Sequence, residues 1–333
     1  MAWLRLSVSV LALTRLTDAN QGQDIAPSSD EPQDRLVKVA LPEGFSHRLF
    51  YDDFSSEEPG SLPSRQRWKL DLGIAYPDGP EHWGTGEVQI YTDNRSNIAI
   101  TNEGTLKITP IRLDNGTWTS ARIETTPEGD FACQAGQRVR VQARIKLGDD
   151  PEERQMGIWP CFWALGSAIR ERLRDALQLG EIDIMETING RSELWHVVHC
   201  GTGPRGPCNE YDGLNHAVAG VARGQWHTVA WEIDRRSGSP RAEESMRWYV
   251  DGRLSWTLLE SQIQDESAWT ALVGNSRILL LNVAVGGGFP NGVSGIKTPT
   301  NMTLGGDGAS MEVDYVAVFA SEADGGGSHV IWN

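Results

Sequence analysis

The chain has 333 residues, among them 36 Gly and 16 Pro, and a net charge of −15. Frequent glycine and proline punctuation with few long helical patterns favours one large all-β sandwich over a helical fold. The acidic balance argues against a nucleic-acid partner, because phosphate binding needs basic patches.

At the N-terminus, Arg5 is followed by an apolar run from Leu6 to Leu13, then by small and polar residues to Ala19. Residues 1–19 read as a secretory signal, too short to span a bilayer. Sequons at Asn94, Asn115 and Asn301 fit a secreted, glycosylated protein. No apolar C-terminal tail suggests a lipid anchor, and no membrane partner is expected. Residues 20–44 are polar, acidic and proline-containing, the composition of a flexible leader. The folded domain is expected over 45–320, beginning with a strand near 49–54, and 321–333 reads as a loose tail.

Residues 97–110 alternate apolar and polar around an Asn102-Glu103-Gly104 turn, a hairpin signal. Residues 138–148 alternate strictly. Val139, Val141, Ala143, Ile145 and Leu147 form one face; Arg138, Arg140, Gln142, Arg144 and Lys146 form the other. After a strand over 159–165, Ile169, Leu173, Ala176 and Leu177 recur at helical spacing. They predict a short amphipathic helix with Ser167 as its cap.

The stretch GEIDIMET, 180–187, carries three acids: Glu181, Asp183 and Glu186. Ile182 and Ile184 alternate with the first two, which is strand periodicity with one acidic and one buried face. Like charges on one face repel, and strands are depleted in Asp and Glu. Glu186 breaks the alternation, and a β-bulge between Asp183 and Glu186 would return it to the same face, with Met185 at or beside the bulge. Three carboxylates so arranged suit glycoside hydrolysis. One Glu attacks the anomeric carbon while the other donates a proton to the leaving oxygen, and in retaining enzymes the two carboxyls lie about 5–5.5 Å apart. Asp183 between them can push their pKa values apart. A metal site would want His or further oxygen ligands nearby.

Cys200 and Cys208 enclose a segment with two Pro and three Gly that can turn back on itself, so a disulfide is expected there. Cys133 and Cys161 are open, and a buried free thiol is a common outcome for the latter. Residues 226–234 and 246–258 read as antiparallel strands, the second carrying an Asp251-Gly252 turn. Residues 277–290 read as a buried strand, with Asn282 its polar residue, running into a glycine-rich turn. A last strand over 311–319 closes a sheet.

GEIDIMET, preceded by GIWPCFWALG at 157–166, resembles the signature of glycoside hydrolase family 16, the laminarinase branch, over roughly residues 50–319. The stretch HCGTGPRGPCNE is similar to secreted fungal members. The resemblance implies a concanavalin-like sandwich (jelly roll) of two antiparallel sheets with an open substrate cleft. It implies Glu181 as nucleophile, Asp183 as its assistant and Glu186 as acid/base. It further implies His199 beside the acid/base, and Glu87, Arg122, Gln142, Arg144 and Asn282 as groups for sugar hydroxyls. Trp159, Trp163 or Trp195 would supply a stacking platform, a role the 13 Trp of the chain also suggest. No cofactor is implied for catalysis. A structural calcium is implied, held by Asp53, a backbone oxygen near Gly104, and Asp314.

The expected protein is therefore a secreted, monomeric, retaining endo-β-glycosidase acting on β-1,3- or mixed β-1,3/1,4-glucan. An endo-β-1,3-galactanase and a transglycosylase share the same residues. A non-catalytic glucan-binding protein shares the same fold, but such proteins lack one or both glutamates.

Overall fold

Strand after strand, the alternation of apolar and polar residues resolves into two antiparallel sheets that bury their apolar faces against each other. The computed structural model describes residues 38–236 and 243–323. The expected signal, most of the leader and most of the tail lie outside the described residues.

The first sheet runs, in spatial order, Arg253–Leu259, Ser245–Val250, Trp226–Asp234, Arg138–Leu147, Met311–Ala320, Leu106–Ile108 and Ile98–Ile100, and His47–Asp52 pairs with Met311–Ala320. The second runs Leu214–Ala219, Glu193–His199, Glu181–Glu186, Ile158–Gly166, Arg277–Val285, Arg122–Thr125 and Trp68–Asp71. A small third sheet joins Gln89–Tyr91, Trp118–Ser120 and Ile111–Arg112.

The core lies between the two large sheets. Val139, Val141 and Ala143 of one sheet enter the same cluster as Phe162, Ile182, Ile184 and Leu281 of the other. Each Val, Ile, Leu or Phe side chain among them, fully buried, contributes roughly 1.5–3 kcal/mol. Trp68, Trp231 and Trp248 are wholly buried too, so much of the tryptophan excess is core packing.

Both expected hairpins form. The 97–110 hairpin turns at Gly104 with φ 69°, and the 246–258 hairpin turns at Asp251 and Gly252 with φ 49° and 74°. Positive φ at two successive central residues suits the right-handed twist of the flanking strands.

Three expectations differ from the fold. The amphipathic helix after residue 166 breaks into a 3-10 turn, Ser167–Arg170, and a four-residue helix, Ala176–Leu179, and the Ser167 side chain caps neither. Its apolar residues are used all the same: Ile169 and Leu179 pack with Leu165, Ile278 and Leu280. The residues after Val285 include a short helix, Gly288–Ser294, where only a turn was expected. Residues 38–44 fall in the expected leader, yet Val39 packs on Phe45, Tyr315 and Phe319 of the first sheet.

Candidate active site

Glu181–Glu186 pairs on one side with Ile158–Gly166 and on the other with Glu193–His199. Phe162 lies opposite Met185 and Trp163 opposite Asp183, which leaves Ile184 as the extra residue. Ile182, Ile184 and Met185 all enter the core. Two successive inward side chains are what a bulge produces, and Glu186 is thereby returned to the face of Glu181 and Asp183.

The register then carries Glu186 into a row that crosses the sheet. Asp71 lies opposite Arg122, Arg122 opposite Asn282, Asn282 opposite Cys161, Cys161 opposite Glu186 and Glu186 opposite Trp195. These side chains point away from the core, yet all are buried. The row is bordered by Trp83, which packs on Tyr91 and Arg122, and by Phe289, which packs edge-on against Trp159 and Trp195.

The environment separates the carboxyls. Glu186 Oε1 accepts from Trp159 Nε1 at 2.8 Å, and the Cys161 thiol lies 3.6 Å from the same oxygen. Burial pushes Glu186 up to about 7, against the pull of His199 and the Trp159 bond. Burial also raises Glu181, while His199 and Arg122 hold it down. Asp183 is pushed well above the ordinary carboxylate range by burial and then by the charges of Glu186 and Glu181. Among the described residues nothing donates to Asp183 Oδ2. A protonated Asp183 between two glutamates is the state that minimises like-charge repulsion.

His199 lies across from Glu181 in the register, with Nε2 3.8 Å from Asp183 Oδ2. Its Nδ1 bonds Glu210 Oε2 at 2.8 Å, and Glu210 Oε1 accepts from the Cys200 backbone N–H at 2.8 Å. Burial disfavours the imidazolium. The Glu210 bond and the charges of Glu181 and Asp183 outweigh it and push His199 up to about 10. One oxygen or nitrogen each from Glu181, Asp183 and His199 lie within 4.8 Å of one another. A cationic His199 in that set offsets the negative charge of the carboxylates around it.

The other expected site residues divide by sheet. Trp163 Nε1 donates to Asn282 Oδ1 at 2.8 Å, and Asn282 Nδ2 donates to Tyr91 OH at 3.1 Å. Tyr91 OH donates to Glu87 Oε2 at 2.9 Å, and Glu87 also accepts from Gln89 at 2.6 Å and from Thr85 at 2.8 Å. Glu87 is thus buried in the wall, with both oxygens engaged. Arg122 lies 4.4 Å from the Trp83 ring centroid and 4.9 Å from that of Trp163, and its Nε donates to Asp71 at 3.1 Å. Trp159 serves Glu186 as a donor and is buried, whereas Trp163 is half-buried.

Gln142 and Arg144 are not at this site. Their strand belongs to the first sheet, and its polar face is the outer surface of that sheet. There Gln142 Nε2 donates to Tyr315 OH at 2.8 Å and Arg144 donates to Asp314 Oδ2 at 2.7 Å. Asp53, Gly104 and Asp314 do converge, also on the first sheet, around the Lys38 ammonium.

Cys200 and Cys208 are bridged, with Cα atoms 5.3 Å apart, and Cys133 and Cys161 are free. Asn94, Asn115 and Asn301 are all exposed. Sequence reasoning missed Glu210, Asp71, Trp83 and Phe289. Only Glu210 carried a signal, as an acid two residues past a loop-closing cysteine.

Paired glutamates, both raised by burial and flanking an aspartate on one face of an open β-sandwich, are the arrangement of a glycoside hydrolase. The crystal structure of an endo-1,3-β-glucanase from Streptomyces sioyaensis matches with a TM-score of 0.79 at 39% identity, covering 85% of this chain and 99% of that one. That of an endo-β-1,3-glucanase from Pyrococcus furiosus matches with a TM-score of 0.62 at 27% identity, covering 86% and 98%. In sequence, a β-glucanase of Rhodothermus marinus is 28% identical over 273 residues, 78% of this chain and 80% of that protein. No protein-family model matches the chain. The chain belongs to glycoside hydrolase family 16.

Proposed function

We propose that the protein is a retaining endo-β-1,3-glucanase, with Glu181 as nucleophile and Glu186 as acid/base. The observation that carries this reading is the Ile184 bulge, which puts both glutamates on one face with Asp183 between them. Glu186, pushed up to about 7, keeps its proton in mildly acidic water and donates it to the leaving glycosidic oxygen. Glu181 is raised by burial, but Arg122 as well as His199 opposes that rise; in this reading it is the carboxyl that ionises first and attacks the anomeric carbon. The C–O bond to the leaving sugar breaks as the bond to Glu181 forms. Glu186, now a carboxylate, takes a proton from water, whose oxygen displaces Glu181. Similarity to endo-1,3-β-glucanases supports β-1,3-glucan as substrate and an internal point of attack.

Secretion is part of the proposal. The N-terminal apolar run, three exposed sequons and a bridged cysteine pair all suit an oxidising, extracellular setting.

The test is hydrolysis of laminarin, lichenan and β-1,3-galactan side by side, with E181Q and E186Q as controls. Short β-1,3-gluco-oligosaccharides released first as β-anomers are expected, and each variant should lose at least about 10³-fold in kcat. First release of the α-anomer, or turnover of galactan alone, refutes the assignment.

A further inference from the structure

On the first sheet, away from the catalytic strand, four oxygens converge on one nitrogen. Lys38 Nζ lies 3.1 Å from the Asp53 carbonyl, 3.3 Å from that of Gly104, 3.3 Å from that of Asp314 and 2.7 Å from Asp314 Oδ1. The three residues come from the end of the first strand, the turn of the 97–110 hairpin and the last strand. The lysine backbone is anchored as well. Its N–H donates to Tyr51 OH at 2.9 Å, and Arg48 donates to the next carbonyl, of Val39, at 2.8 Å.

Three backbone carbonyls and a carboxylate are the hard oxygen set that a cation prefers. An ammonium offers three N–H donors and one positive charge to such a set. The remaining charges leave little for a divalent ion. Asp314 Oδ2 already accepts from Arg144 at 2.7 Å, so one carboxylate faces two cations. The Asp53 carboxylate is turned elsewhere, accepting from the Ser55 hydroxyl at 2.7 Å and from Tyr51 OH at 3.2 Å. A calcium ion among these oxygens would meet Lys38 and Arg144 at close range, with Asp314 the one carboxylate in direct contact and Asp53 acting only through its nearby charge. The oxygens suit calcium, but the position as this chain builds it does not.

We propose that the Lys38 ammonium is the resident cation of this site, taking the place of a structural calcium and fastening the N-terminal segment across three elements of the first sheet. The inference is independent of the proposed activity, since its readout is metal content and thermal stability.

The experiment compares the full-length protein with K38M, which keeps the stem and the backbone N–H but removes the charge. The wild-type protein should hold no calcium after gel filtration, by elemental analysis. Its Tm should be the same in chelator and in about 10 mM calcium, well above the Kd range of weak extracellular sites. K38M in chelator should melt about 2–4 °C lower, the shift expected for loss of one half-exposed charged contact. Calcium, with magnesium as control, should restore part of that loss. Stoichiometric calcium in the wild-type protein, or a wild-type Tm that falls in chelator, overturns the proposal. So does a K38M Tm equal to wild type, or one that calcium leaves unchanged.

Discussion

Glu210→Gln removes a charge and keeps the shape. In the wild-type protein Glu210 bonds His199 Nδ1 at 2.8 Å, and His199 is pushed up to about 10. A hydrogen bond to a charged group contributes about 1.5–3 kcal/mol. At about 1.4 kcal/mol per pKa unit, losing the charge lowers His199 by roughly 1–2 units. The sign follows from the direction of the shift. A folded-state value above the ordinary one gives stability that is complete below about 6.5 and is lost as pH rises through about 10. E210Q should therefore melt roughly 4–8 °C below wild type at pH 6. The gap should begin to narrow where the variant's His199 sheds its proton and should close as pH rises through about 10, where the wild-type His199 sheds its own. Glu210 also raises Glu181 through its charge, so the acidic limb of kcat/KM should move to lower pH. Differential scanning calorimetry across pH, with kcat/KM on laminarin, measures both. A Tm gap of constant size from pH 5 to 10, with an unmoved acidic limb, would refute the charge argument and reduce Glu210 to a packing group.

Activity in the wild-type protein should fall as pH rises through about 7, because Glu186 must carry its proton to act as acid. The same raised value means that the ionised form is a cost in the folded state, so E186Q should melt higher than wild type above pH 7 while lacking turnover; an equal or lower Tm there contradicts it. Gln142→Ala removes a bond to Tyr315 on the outer face of the first sheet. It should cost about 0.5–1.5 kcal/mol of stability and leave kcat/KM within about twofold, and a tenfold fall would put Gln142 back in the cleft.

What the sequence revealed depended on whether the information was local. Alternation in 181–186, and its failure at Glu186, sufficed to place three acids on one face and a bulge between them. Alternation in 138–147 equally well separated Val139, Val141 and Ala143 from Gln142 and Arg144. It could not say which of two sheets the strand joins, because a period of two fixes a face and carries nothing about neighbours. Hence the polar residues of that strand were read onto the wrong surface. Glu210 and Lys38 were illegible for a related reason. Each acts on a partner set by tertiary packing, Glu210 through a loop closed by a disulfide and Lys38 through carbonyls that any residue types could supply. The broken helix after residue 166 shows packing overriding periodicity: Ile169 and Leu179 reach one apolar cluster without a continuous helix between them.

The bulge has a consequence for how this gene can change. Ile184 pairs with no residue of the neighbouring strand, yet the count it adds decides where Glu186 points. Deleting one residue between Asp183 and Glu186 would remove the bulge and restore regular alternation, with the glutamate still on the face of Glu181 and Asp183. The three acids can therefore share one face in two ways, by regular alternation in a segment one residue shorter or by the bulge found here. Apolar exchanges at Ile184 or Met185 alter packing by amounts a fold of this size absorbs, whereas one further residue inserted there, with the single bulge kept, would turn the acid/base carboxyl into the core.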